Sequence, residues 1–215
     1  MKKVLTIDFD IIMNPSIEVF NDYDGTADEY TTRFDFLGLM PADLELYQEL
    51  TSFLLTQKHK KIYFMESHDE IVKLTKGEGP FELINIDHHH DLGYGDNIRW
   101  NAPVRQVENG NWVHKLWELN RVTKYTWLKD TAAIDPPIRA NKYINEKHFL
   151  YTYDLTQLDD VVAIYIAHSP EWIPGYYEPL YNIWVELFKN TVNSKEEEFI
   201  TLQEQNEAEQ LSFDL

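Results

Sequence analysis

Leu83-Ile84-Asn85-Ile86-Asp87-His88-His89-His90-Asp91-Leu92-Gly93 decides how the rest of the chain is read. The apolar run Phe81–Ile86 ends abruptly in three imidazoles flanked by two aspartates. A run this short, rich in branched and aromatic side chains and bounded by polar residues, reads as a buried strand. Asp87, His89 and Asp91 are spaced by two. Alternate residues of an extended chain project to one side, so all three are expected to converge just past the strand end. Ligand sites of open α/β sheets lie there. Two bare carboxylates buried together are very costly, and a divalent cation removes that cost.

Two further segments repeat the design. Val4-Leu5-Thr6-Ile7-Asp8-Phe9-Asp10 is an apolar strand running into two carboxylates spaced by two, and Ile62-Tyr63-Phe64-Met65 empties into Glu66-Ser67-His68-Asp69-Glu70. Phe149–Tyr153 and Val161–Ala167 read as additional buried strands. Helical patterns lie between them. Pro41 fits a first helical position, Leu44, Tyr47, Leu50 and Leu54 fall on one face, and Lys58, Lys60 and Lys61 close the segment favourably against the helix dipole. Asn111–Leu119 is a weaker helix candidate. Pro179 opens another, with Leu180, Ile183, Trp184, Leu187 and Phe188 on its buried side. Strands alternating with helices imply an α/β fold, a three-layer α/β/α arrangement around a mostly parallel sheet. Residues 1–192 read as a single catalytic domain and 193–215 as an acidic polar tail.

Composition narrows the chemistry. The 215-residue chain has no cysteine, which excludes disulfides, thiolate zinc sites and a cysteine nucleophile. Any metal is therefore held by oxygen and imidazole. That donor set suits manganese, iron or magnesium, with zinc as an alternative. Three strand ends carry the aspartates Asp8, Asp10, Asp87 and Asp91 and the histidines His68 and His89. Four carboxylates exceed what one catalytic zinc usually takes and fit two metals sharing a bridging carboxylate. The formal net charge of −18 is the wrong sign for nucleic acid and would favour cations and basic substrates. No apolar run reaches the roughly 20 residues of a membrane span, and the start does not read as a signal peptide, so a cytoplasmic protein is expected.

Ile86-Asp87-His88-His89-His90-Asp91 resembles the Asp-x-His-x-Asp motif of the arginase and ureohydrolase superfamily. Thr6-Ile7-Asp8-Phe9-Asp10-Ile11 is similar to its Asp-x-Asp motif, and Glu66–Glu70 to the stretch holding its first metal-binding histidine. The likeness is greatest to a group that includes the peptide arginases, which convert arginine side chains within a peptide to ornithine and release urea. The resemblance implies two divalent ions, manganese by preference. One would take His68, Asp87, Asp91 and Asp8, the other Asp87, His89, Asp8 and Asp10, with Asp87 and Asp8 bridging. A bridging hydroxide would attack the guanidinium carbon, with Asp91 as a partner for the incoming proton. The strand order departs from the family: in arginases the Asp-x-Asp strand follows the Asp-x-His-x-Asp strand, whereas here it precedes it. Ile164–Trp172 nevertheless resembles the group's final strand and Ser-Pro turn at its usual place.

A cationic guanidino substrate, such as an arginine-containing peptide, needs an acid beside the metals. Glu171, just past a strand end, is the first candidate. His168 and His90 are candidates for proton transfer, since imidazole titrates near neutral pH. The acidic loop Asn21–Asp35 could form a mouth for a basic peptide. Other readings remain. Asp87-His88-His89 also spells the signature of DHH-type phosphoesterases, although no glycine-rich phosphate motif follows. Asp8 and Asp10 could serve a haloacid-dehalogenase-type phosphatase, although Ile11-Ile12-Met13-Asn14 replaces the small residues expected after them. A deacetylase on the arginase-like fold would need a single zinc. A non-catalytic, metal-stabilised protein that recruits a basic partner is the fourth. Oligomeric state is open.

Overall fold

β1 (Lys2–Asp8) and β3 (Phe81–Ile86) lie side by side and parallel at the centre of the computed structural model, with Ile7 paired to Ile86. That register puts Asp8 beside Asp87, the first residue past each apolar run. The structure describes residues 1–13, 42–93, 107–108, 110–129, 142–148, 155–158 and 160–192. The expected acidic mouth at Asn21–Asp35, the strand expected at Phe149–Tyr153 and the tail from Asn193 lie outside the described residues.

The sheet has six strands, all parallel, in the order β2-β6-β1-β3-β4-β5. β2 is Lys61–Met65, β4 is Val122–Lys129, β5 is Ile144–His148 and β6 is Val161–Ala167. Because all strands run the same way, Asp8, Glu66, Asp87 and His168 emerge at one edge. β4 and β5 were not expected. β4 reads Val-Thr-Lys-Tyr-Thr-Trp-Leu-Lys, and its two threonines and two lysines hide the apolar face of Val122, Tyr125 and Trp127.

Alternation along the strands feeds two cores. Leu5, Ile7, Ile84, Ile86, Ile164 and Ile166 face one side, and Val4, Leu83, Tyr125, Tyr165 and Ala167 the other. The first side is covered by α1 (Leu44–Thr56) and α4 (Glu178–Val192), and the second by α2 (Ile71–Leu74) and α3 (Trp112–Glu118). The three-layer α/β/α fold follows. The chain leaves β1 toward α1 on one face and β3 toward α3 on the other, which makes the crevice between those strands a topological switch point.

Details of the helices correct the sequence reading. α1 begins at Leu44, where the Asp43 carboxylate accepts the Leu46 N–H at 2.9 Å, rather than at Pro41. Tyr47, Leu50 and Leu54 are buried as expected, joined by Leu46 and Phe53, but Leu44 is exposed because it stands on the first turn before the seam is established. Lys58 and Lys60 lie beyond the last helical residue, Thr56, and Lys61 opens β2, so none sits in the final turn. In α4, Tyr181, Trp184 and Phe188 are buried, while Ile183 and Leu187 face solvent. The buried seam steps by three and four residues from Tyr181 to Trp184 to Phe188, which turns Ile183 and Leu187 outward. α3 occupies the span expected from Asn111–Leu119, those two residues serving as its caps.

Candidate metal centre

Beyond Ile86 the chain does not continue extended. Residues 87–89 form bends, the His89 N–H donates to Asp87 Oδ1 at 2.8 Å, and Asp91 takes a left-handed φ of 50°. Convergence of Asp87, His89 and Asp91 is therefore the work of a tight turn and not of strand alternation. Aspartate is among the few residues that tolerate the left-handed region.

The loops gather the six predicted ligands. His68 Nδ1 lies 3.2 Å from Asp8 Oδ2, 3.3 Å from Asp87 Oδ2 and 3.6 Å from Asp91 Oδ2. His89 Nδ1 lies 3.4 Å from Asp87 Oδ1 and 3.7 Å from Asp10 Oδ2. Two groups, Asp8 with His68 and Asp87, and Asp10 with Asp87 and His89, have the spacing to hold a metal ion. Asp87 belongs to both through different oxygens. Asp8 belongs to the first, and its Oδ1 accepts the Asp10 N–H at 3.2 Å. Donor atoms about 2.1 Å from a common cation stand about 3.0 Å apart at right angles and about 3.4 Å apart at tetrahedral angles, close to the distances seen here.

The residues fit a cation. Asp8, Asp10, Asp87 and Asp91 are all buried, yet both ring nitrogens of buried His68 lack a hydrogen-bond partner among the described residues. Burial works against charge on His68, but Asp8 and Asp87 outweigh it and lift the imidazole to about 10. Burial alone would raise Asp87, but the imidazoles of His68 and His89 beside it hold it well below the ordinary carboxylate range. Burial, with the Asp87 charge beside it, pushes Asp91 well up. Protons on the cluster thus stand where a metal would sit, and a bound metal would displace them.

A buried frame holds these ligands. Asn85 Nδ2 donates to Asp87 Oδ2 at 3.1 Å, and Thr6 Oγ1 donates to Asn85 Oδ1 at 2.6 Å. Trp127 Nε1 donates to the Asp87 carbonyl at 2.9 Å, and Trp112 Nε1 to Asp91 Oδ2 at 2.6 Å. Ser169, itself left-handed at φ 50°, donates its hydroxyl to Asp8 Oδ2 at 2.8 Å. The sequence reading gave none of the five a role at the site, although it quoted the Ser-Pro turn that holds Ser169. Asn85 alone carried a signal, a polar residue inside an otherwise apolar run.

The remaining candidates divide. His90 is buried, its ring edge-on to Trp127 and its Nδ1 accepting the Leu92 N–H at 3.2 Å. His168 stacks on Tyr181 and faces Glu66 and Glu178, apart from the ligand groups. Glu171 falls in the 3-10 turn Pro170–Trp172, and its side chain lies outside the described residues. His88, unassigned beforehand, meets the Met13 carbonyl at 2.9 Å through Nε2. No protein-family model, curated protein or solved structure matches this chain. Among the described residues, no helix is long and apolar enough to cross a membrane.

Proposed function

We propose that the chain is a binuclear-metal hydrolase of a guanidinium C–N bond, converting peptidyl arginine to ornithine and urea. The observation that carries this reading is the division of Asp87, whose Oδ2 faces His68 with Asp8 and whose Oδ1 faces His89 with Asp10. A carboxylate divided in this way suits a two-cation site. His68, Asp8, Asp87 and Asp91 would hold the first ion, and Asp87, His89 and Asp10 the second. Manganese suits the mixture of carboxylate and imidazole. Such ions, when bound, polarise the substrate and bring the pKa of water toward neutrality.

The protein's own groups supply the rest. Water oxygen bonds to the guanidinium carbon, the bond from that carbon to the side-chain nitrogen breaks, and the ornithine amine leaves with the proton. Asp91, whose Oδ2 lies 3.6 Å from His68 Nδ1 at the first position, is the carboxylate placed to take the proton of the attacking water. His89 is the more open histidine of the centre, with 14% of its side chain exposed against 2% for His68, and it marks the side of substrate entry. Trp172, its ring 5.0 Å from that of His89, offers a wall for a planar cation. The exposed carboxylates of Glu66 and Glu178 favour a cationic substrate over a phosphate ester.

Manganese-reconstituted protein, offered free arginine, arginine peptides, a phosphate ester and an acetyl-lysine peptide in parallel, tests the reading. Urea release and loss of one cyanamide unit from the peptide are expected. Phosphate or acetate release without urea would overturn it.

A further inference from the structure

On the α1 and α4 side of the sheet, the end of β6 carries a second polar arrangement. His168 continues the alternation of Ile164 and Ile166, which face that side, whereas Trp112, against which His68 packs, belongs to the core on the other. His168 is 5% exposed, and its ring lies on that of Tyr181 with centroids 4.2 Å apart and planes at 16°. The Tyr181 hydroxyl and the His168 backbone N–H both donate to the Met65 carbonyl, which fixes the stack to the end of β2. His168 Nδ1 is 3.4 Å from Glu66 Oε2, and Nε2 is 3.6 Å from Glu178 Oε1. The two glutamates reach solvent, with 67% and 48% of their side chains exposed.

A neutral imidazole has one N–H and one lone pair. A neutral ring can direct its N–H at only one of the two glutamates; in the tautomer with that N–H on Nδ1, toward the nearer Glu66, Nε2 is left as a bare acceptor. That atom is buried and has no hydrogen-bond partner among the described residues. It faces a second acceptor, Glu178 Oε1, so the pair lacks a donor. A buried acceptor without one is costly. A single N–H group about 2.9 Å from each atom would satisfy both, and a cationic donor would also meet the charge of the two glutamates.

We propose that His168, Glu178 and Glu66 form a subsite for a second cationic side chain of the peptide, lysine or arginine, near the target arginine. The assignment rests on the peptidyl-arginine reading above. Ser169 joins the two sites, since it follows His168 directly and its hydroxyl donates to Asp8.

The test uses the full manganese-loaded chain and peptides of equal length, each with one target arginine and with lysine, arginine or glutamine nearby. Wild type should favour the basic neighbours about tenfold in kcat/KM, through KM. Glu178→Gln, at an exposed position, and His168→Phe should bring that ratio close to one, and comparison of lysine with arginine separates ammonium from guanidinium recognition. A second readout needs no turnover: binding of the same peptides with ornithine in place of the target, followed by the His168 imidazole nitrogen signals. Urea release with equal rates for all neighbours in wild type, or a preference that survives Glu178→Gln, would overturn the subsite. Tighter binding of basic peptides that shifts the His168 signals, with urea from none, would uphold the subsite and sink the hydrolase reading instead.

Discussion

Trp112 donates its indole N–H to Asp91 Oδ2 at 2.6 Å while its ring sits 4.8 Å, centroid to centroid, from that of His68. One side chain of α3 thus holds both His68, a member of the first group, and the adjoining Asp91. A donor on Oδ2 orients the Asp91 carboxylate, and the indole face limits how the imidazole can turn.

Trp112→Phe keeps an aromatic ring, smaller than the indole, and removes the N–H. Outer-shell changes of this kind typically weaken metal binding about 10- to 100-fold. The loss is expected at the His68 group and not at the His89 group. Stepwise manganese titration, read by calorimetry or electron paramagnetic resonance, checks it: one of two binding steps should weaken. Equal weakening of both steps, or of neither, would count against the assignment.

Asp87 is the ligand common to both groups, so Asp87→Ala should abolish both binding steps and urea release together. His68→Ala and His89→Ala should each remove one step and leave the other measurable. All three should retain the fold, since the cavities lie at the edge of the sheet and not within either core. Metal content by elemental analysis, with circular dichroism on the same samples, decides this. A metal-free Asp87→Ala protein with full turnover would refute the whole centre.

The pH dependence has a defined sign. His68 is raised from 6.5 to about 10 in the folded protein. Its contribution to stability is fully present below its unfolded pKa near 6.5 and is lost as pH rises through about 10. Asp91, also raised, acts in the same direction. Asp87, depressed, contributes stability present above its unfolded value and lost as pH falls into the acid range. Metal-free protein should therefore lose stability between pH 6.5 and 10, whereas the manganese-loaded form, in which the cation replaces the His68 proton, should not. Urea unfolding with and without chelator over that range provides the comparison. Parallel curves would show that the cluster does not exchange protons for metal.

The central strands and the clustering of the candidate ligands were legible for the same reason: an apolar run that stops at a carboxylate or histidine is a strong signal for a covered parallel strand whose end is polar. β1, β2, β3 and β6 all have that form. β4 was illegible because it stands one strand out from the centre, where Thr123, Lys124 and Thr126 are only half-buried and tolerable. The pairing of Asp91 with Trp112 had no mark at all, since the two lie on separate elements that meet only through the packing of α3. The mode of convergence was also misread, because strand alternation cannot anticipate that Asp87 Oδ1 captures the His89 N–H and turns the chain.

Asn85 tests whether the buried frame sets the charge state of the shared ligand. Its amide oxygen accepts from Thr6, which directs its Nδ2 as a donor to Asp87 Oδ2. Asn85→Leu removes that donor and leaves the Thr6 hydroxyl only the Ile84 carbonyl, at 3.3 Å, at a cost of about 1–3 kcal/mol in stability. Asn85→Asp preserves the shape but places an acceptor against an acceptor. Without metal it should destabilise at neutral pH more than Asn85→Leu does, and recover as pH falls and the new carboxyl takes a proton. With manganese the gap should narrow, because the cation offsets the added charge. Thermal unfolding of the two variants at pH 5 and pH 8, each with and without manganese, decides the matter. A metal-free Asn85→Asp protein as stable as wild type at pH 8 would mean that Asp87 is not held as the ionised, shared ligand on which both cation positions depend.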